Sequence, residues 1–177
     1  MEKAFKRLSL NSNEKEEKLF NFEGFKKSKL PPPPTLPQEF KDVIKSLDGT
    51  NLVFLMQKNL SRDDLSRIYN RLSIPMCRVR KGFLCRVRKG FLSSKEKEEL
   101  LVHCKKPVLF VEPSLDVTKM FMRRLEKKTY SSYVLVSSQW DTIWRRNNLK
   151  EGDLVQLWTF RVKENLGFAL VRRAEWL

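Results

Sequence analysis

Three cysteines and one histidine are the side chains in this sequence with the chemistry to hold a zinc ion or to act through a thiol. Zinc sites use Cys and His paired at short spacing. Cys77 and Cys85 occupy the same place in two copies of one octapeptide, and Cys104 directly follows His103, so neither a ligand quartet nor a disulfide framework is present. Adjacent side chains such as His103 and Cys104 seldom reach each other productively as base and nucleophile. The expectation for Cys104 is a buried thiol at the end of a helix. Asp116 with Glu126-Lys127-Lys128 superficially fits the carboxylate and lysine set of a magnesium-dependent nuclease, but a basic chain yields such matches readily. The expectation is a protein without cofactor or metal, and not an enzyme.

What the sequence holds in excess is positive charge. Its 177 residues include 36 Lys and Arg against 21 Asp and Glu, a formal charge of +15. Residues 1–50 hold 10 basic and 8 acidic side chains, whereas residues 51–177 hold 26 and 13. A folded region with that much like charge works against its own compactness, so an anionic partner explains it economically. Nucleic acid leads, ahead of an acidic protein or a membrane surface. No apolar run approaches the roughly 20 residues of a membrane-spanning helix, and Met1–Arg7 does not lead into the apolar core of a secretory signal. An intracellular chain is expected, with neither a membrane nor a small-molecule substrate as its partner.

The elements that must position this charge begin after an N-terminal extension, residues 1–49. Residues 1–30 show no sustained period and read as mostly disordered. Pro31-Pro32-Pro33-Pro34 opens a proline-rich linker over 31–37, because four fixed φ angles without amide donors exclude helix and ladder. Thr35-Leu36-Pro37-Gln38 then resembles a capping box, and Phe40, Val43, Ile44 and Leu47 place one apolar stripe on a short helix over about 38–47. From residue 50 to 177 the pattern changes to period two and to apolar runs bounded by turns. Strands are expected at about 52–57, 71–75, 107–112, 117–125, 132–137, 153–162 and 167–173, with helices at 93–101 and 138–146. Ser93 and Glu96 form a capping box for the first helix, and Trp140, Ile143 and Trp144 an apolar stripe on the second.

Between strands two and three, Cys77-Arg78-Val79-Arg80-Lys81-Gly82-Phe83-Leu84 is repeated without change as Cys85-Arg86-Val87-Arg88-Lys89-Gly90-Phe91-Leu92. A shift of eight keeps every strand side chain on its face but rotates a helix by about 80°. The duplication therefore belongs in extended or looped structure, and each copy adds three positive charges.

Gln57-Lys58-Asn59-Leu60-Ser61-Arg62-Asp63-Asp64-Leu65-Ser66-Arg67-Ile68-Tyr69-Asn70-Arg71-Leu72-Ser73-Ile74-Pro75 resembles the first recognition segment of the plant B3 DNA-binding domain. A second block is similar to that family's helix and its Leu-Lys-x-Gly-Asp turn: Ser132-Tyr133-Val134-Leu135-Val136, then Trp140, then Asn148-Leu149-Lys150-Glu151-Gly152-Asp153-Leu154-Val155. Together the likeness covers about residues 50–174 and points to a divergent single-domain plant subgroup. It implies a mainly β fold with two short helices, an open seven-stranded β-pseudobarrel, that binds double-stranded DNA through two loop arms in the major groove. The arms correspond to about 58–71 and 123–133. The first offers Lys58, Arg62, Ser66, Arg67, Tyr69, Asn70 and Arg71, the second Arg123, Arg124, Lys127, Lys128, Thr129, Tyr130, Ser131 and Ser132, all phosphate or base-edge chemistries. Arg67 and Asn70 suit base reading, Lys58, Lys127 and Lys128 suit phosphates, and Asp63 and Asp64 suit turn or capping bonds that hold the arm. Where other B3 domains carry a tryptophan-containing second arm, this chain has Lys127-Lys128-Thr129-Tyr130-Ser131-Ser132.

The resemblance implies a sequence-specific transcription regulator of the plant nucleus. It sets residues 123–133 on an exposed arm, where a nuclease would need a buried pocket for its metal. The alternative is a B3-fold protein-interaction module with only non-specific DNA affinity, in which the N-terminal extension recruits protein partners.

Overall fold

The computed structural model describes residues 34–75, 90–126 and 131–173. In chain order these residues form α1 (Gln38–Ser46), β1 (Gly49–Asn59), a 3-10 turn (Arg62–Leu65), β2 (Arg71–Ile74), α2 (Ser94–Val102), β3 (Lys106–Val111), β4 (Val117–Glu126), β5 (Ser131–Val136), α3 (Trp140–Arg146), β6 (Leu154–Val162) and β7 (Asn165–Arg172). The strands make one seven-stranded sheet in the order β1-β6-β7-β3-β4-β5-β2, antiparallel throughout except where β3 meets β7. Its two edges, β1 and β2, do not pair with each other, so the sheet is an open pseudobarrel.

Period-two patterning gives β2 and β4 one buried and one more exposed face, while β6 and β7 are buried along almost their whole length, covered on both sides. Between these two, Gly167 stands opposite Phe160, whose ring lies where any larger side chain would have to go. The main core gathers Leu55, Leu72, Ile74, Phe110, Met120, Met122, Leu135, Leu157 and Phe168 with Trp140 and Ile143 of α3. Trp140 meets Phe110 edge to face at 6.0 Å, and Trp144 packs half-buried against the same cluster. A second cluster joins Leu36, Phe40 and Ile44 to Val111, Trp158, Phe160, Ala169 and Val171.

That second cluster joins α1 to the sheet. The α1 stripe is where its spacing predicts and is buried against the sheet, and the compact unit spans Pro34–Leu177. The expected Thr35 capping box is replaced by Pro37 at the N-cap, with no side-chain bond to the helix. The box on α2 is present: Ser93 and Glu96 exchange both bonds. Cys104 departs from expectation, being exposed, with φ +60 in the turn that ends α2. Burial would require a residue on the helix's inner face, and Cys104 is past its end. Residues 1–33, and most of the duplicated octapeptides with Cys77 and Cys85, lie outside the described residues. No described helix is long and apolar enough to cross a membrane.

Candidate nucleic-acid interface

The segment between β1 and β2 is built around one carboxylate. Asp64 Oδ1 accepts the Ser73 N–H at 2.9 Å and the Ser73 hydroxyl at 2.7 Å, while Oδ2 accepts the Ser61 N–H, the Ser61 hydroxyl and Lys58 Nζ at 2.7–2.9 Å. Ser61 Oγ in turn accepts the Asp64 N–H, a capping box on the 3-10 turn, and the Trp140 indole donates to the Asp64 carbonyl at 2.6 Å. Burial pushes the Asp64 carboxyl upward, but Lys58 and the Ser73 and Ser61 amides outweigh it and hold the group below its ordinary value. The expectation that Asp64 braces the arm from within is met.

The same bonds relocate Lys58. Its ammonium also donates to the Ser73 hydroxyl at 2.7 Å and to the Ser73 carbonyl at 3.1 Å, which engages all three of its protons, and its side chain is only 11% exposed. Within the chain Lys58 thus ties β1, the turn and β2 together. Sequence spacing did not reveal Ser73 as its partner, because the two meet only through the fold.

Beyond the brace the chain turns tightly. The Asn70 N–H donates to the Ser66 carbonyl at 3.0 Å and the Ile68 N–H to the Ser66 hydroxyl at 3.2 Å. Asn70 has φ +44, a left-handed conformation that Asn tolerates better than most residues, and its Oδ1 is shielded from solvent with no hydrogen-bond partner among the described residues. What the turn does expose is Arg62, Arg67, Ile68 and Tyr69, with the Arg71 guanidinium 4.7 Å above the Tyr69 ring.

Strand register places the second segment. Arg71 stands opposite Val136, which pairs with Phe121, and Ser73 stands opposite Val134, which pairs with Arg123, so Arg71, Phe121 and Arg123 share one face. Arg123 is exposed on that face. Arg124 points to the opposite side and pairs with Glu126 at 3.3 Å, while Ser132, opposite Leu125, lies by register on the same face as Arg123 but is buried there. Residues 127–130, which carry Lys127, Lys128, Thr129 and Tyr130, lie outside the described residues, and of Ser131 only the strand backbone is described. The Arg71 end of β2 and the Ser131 end of β5 are separated by five strand residues, about 17 Å at 3.3 Å per residue. A face of that length exceeds the roughly 12 Å width of a major groove.

Two exposed cations beside this face were not singled out in the sequence. Lys119 alternates with Phe121 and Arg123 along β4, a period-two signal that was legible, and Lys105 stacks 4.8 Å over the Phe121 ring, which was not. The nuclease set does not assemble: Asp116 accepts the Ser114 hydroxyl in a turn at the start of β4, while Glu126 pairs with Arg124 at the far end of the strand. Among the described residues no group of three His, Cys, Asp or Glu side chains is placed to hold a metal ion.

A family model described as B3 domain-containing protein At2g31720-like matches residues 33–174. The chain is similar to B3 domain-containing protein At1g05920 of Arabidopsis thaliana, at 28% identity over 147 residues, 80% of this chain and 46% of that protein. The chain thus spans about half the length of this curated relative. Among solved structures it is similar to the Arabidopsis FUS3-DNA complex, at 20% identity over 69% of this chain and 99% of that one, with a TM-score of 0.43.

Proposed function

The chain belongs to the B3 domain family, and on that premise we propose that it binds double-stranded DNA through the major groove, reads its sequence, and acts as a transcription regulator in the plant nucleus. The observation that carries the proposal is the arm between β1 and β2. Its buried acid, Asp64, is turned inward and neutralised, while Arg62, Arg67 and Tyr69 face solvent on a turn held by internal hydrogen bonds. A preorganised cationic loop loses little entropy on meeting a polyanion.

Within the arm, Arg67 has the fork geometry to grip guanine O6 and N7, whereas Arg62, and Arg123 on the adjoining face, serve phosphates. Tyr69, under Arg71, supplies a planar shelf, and Ser66 and Asn70 set the loop's shape. From the second segment Lys127, Lys128, Thr129, Tyr130 and Ser131 are assigned by sequence, with the lysines on phosphate. Protein partners are assigned to residues 1–33.

Selection of bound sequences from a random duplex pool tests the reading, and an enriched motif is the expected result. Arg67→Ala then costs about 1–3 kcal/mol on the motif and relaxes one base position, while Arg123→Ala weakens motif and random duplex alike. A pool that returns no motif would instead favour a protein-interaction module with generic DNA affinity.

A further inference from the structure

Ile68 is the most exposed large apolar side chain among the described residues, at 90%, and it stands between Arg67 and Tyr69 at the tip of the arm. It is not a loose end. Its own amide is tied to the Ser66 hydroxyl, the Asn70 amide closes the turn on the Ser66 carbonyl, and Asp64 anchors the segment that leads into it. A β-branched side chain has few rotamers to lose, so Ile68 is a stiff apolar knob on a fixed mount. It can neither donate nor accept a hydrogen bond, and nothing within the described fold covers it.

The major groove presents hydrogen-bonding groups at every base pair and one apolar feature, the 5-methyl group of thymine. We propose that Ile68 reads that methyl group and makes one thymine of the bound site a specificity determinant. The inference rests on the DNA-reading function proposed above and adds a residue to it: Arg67 supplies the polar contact, Ile68 the apolar one beside it. An isoleucine inserted between base steps from the minor groove is the rival use of such a side chain, and it predicts a kinked duplex indifferent to the methyl group.

The test uses the full chain and the duplex enriched from a random pool, with each thymine in turn replaced by deoxyuridine, which removes the methyl group and nothing else. At one position the substitution should weaken binding about fourfold, the equivalent of one buried methylene. With Ile68→Ala the thymine duplex should bind more weakly and the thymine–uracil difference at that position should vanish. Since Ile68 is exposed, its unfolding curve should stay that of the parent chain. Equal binding of uracil at every position overturns the inference while leaving the proposed function standing. A uracil effect that persists in Ile68→Ala overturns it too, as does a bent duplex insensitive to methylation. A pool that yields no motif overturns the proposed function, and this inference with it.

Discussion

Lys58 and Arg67 are both basic residues of one arm, and burial separates what they do. Lys58 is spent on Asp64 and Ser73, so Lys58→Ala should leave a buried carboxylate uncompensated and cost about 3 kcal/mol in chemical denaturation. The salt dependence of DNA binding should stay unchanged, whereas Arg67→Ala should leave the denaturation midpoint in place and weaken binding to the motif. The same pair fixes a pH response. Asp64 has its folded pKa depressed below an ordinary value of about 3.9, so its contribution to stability is present above that value and is lost as pH falls through the folded one. Glu96, shifted down chiefly by its hydrogen bonds with Arg161 and the Ser93 amide after burial has pushed it up, adds in the same sense. Denaturation midpoints should therefore be level from about pH 7 to 5 and fall below about pH 4, with a shallower fall in Asp64→Asn. Asn70 supplies a cleaner separation of shape from contact. Asn70→Gly, which accepts a positive φ freely, should retain affinity, and Asn70→Ala should strain the turn by about 1 kcal/mol. Loss of binding in the glycine variant would restore Asn70 as a base contact.

At the scale of elements, what was legible followed from period. All seven strands and three helices lie within a few residues of where alternation and apolar stripes set them, because a half-buried strand writes its two faces into the sequence. Ser93 and Glu96 announce the start of α2 unaided, because a capping box needs only residues three apart. What was not legible depends on residues far apart in the chain. Phe40, Val43, Ile44 and Leu47 announce an amphipathic helix, but not that Trp158, Phe160 and Val171 wait to cover it, so α1 was assigned to an extension. The arm's charges were legible in kind, yet Lys58 and Arg67 look alike until the fold brings Ser73 to one of them. Phe40→Ala should accordingly cost about 3–5 kcal/mol, the range for emptying a buried aromatic site. A chain beginning at residue 34 should fold as the parent does, while one beginning at residue 49 should unfold at markedly lower denaturant. Equal stability of the two would return α1 to the extension.

For the whole molecule the decisive quantity is where its charge remains free. Among the described residues three buried acids, Asp64, Glu96 and Glu112, are each matched to a cation, Lys58, Arg161 and Arg146. Such pairing removes one charge of each sign, so it leaves the excess of 26 basic over 13 acidic residues in 51–177 undiminished. Duplex DNA holds a condensed cation atmosphere, and each phosphate neutralised by the protein releases part of it, so affinity must fall as salt rises. If six to ten phosphates are met, binding should drop about 10³- to 10⁵-fold between roughly 50 and 200 mM salt. Titration of one labelled duplex across that range gives the slope directly. Arg62→Ala and Arg123→Ala should each reduce it by about one. The duplicated octapeptide tests the same account on a larger unit, since deleting residues 85–92 removes three basic side chains and no acidic one. If those charges meet phosphate, the slope should fall by up to about three with the preferred motif unchanged. An unaltered slope would make the second copy a passive insertion, and a flat salt response of the whole chain would remove electrostatics, and with it DNA, from the account of its charge.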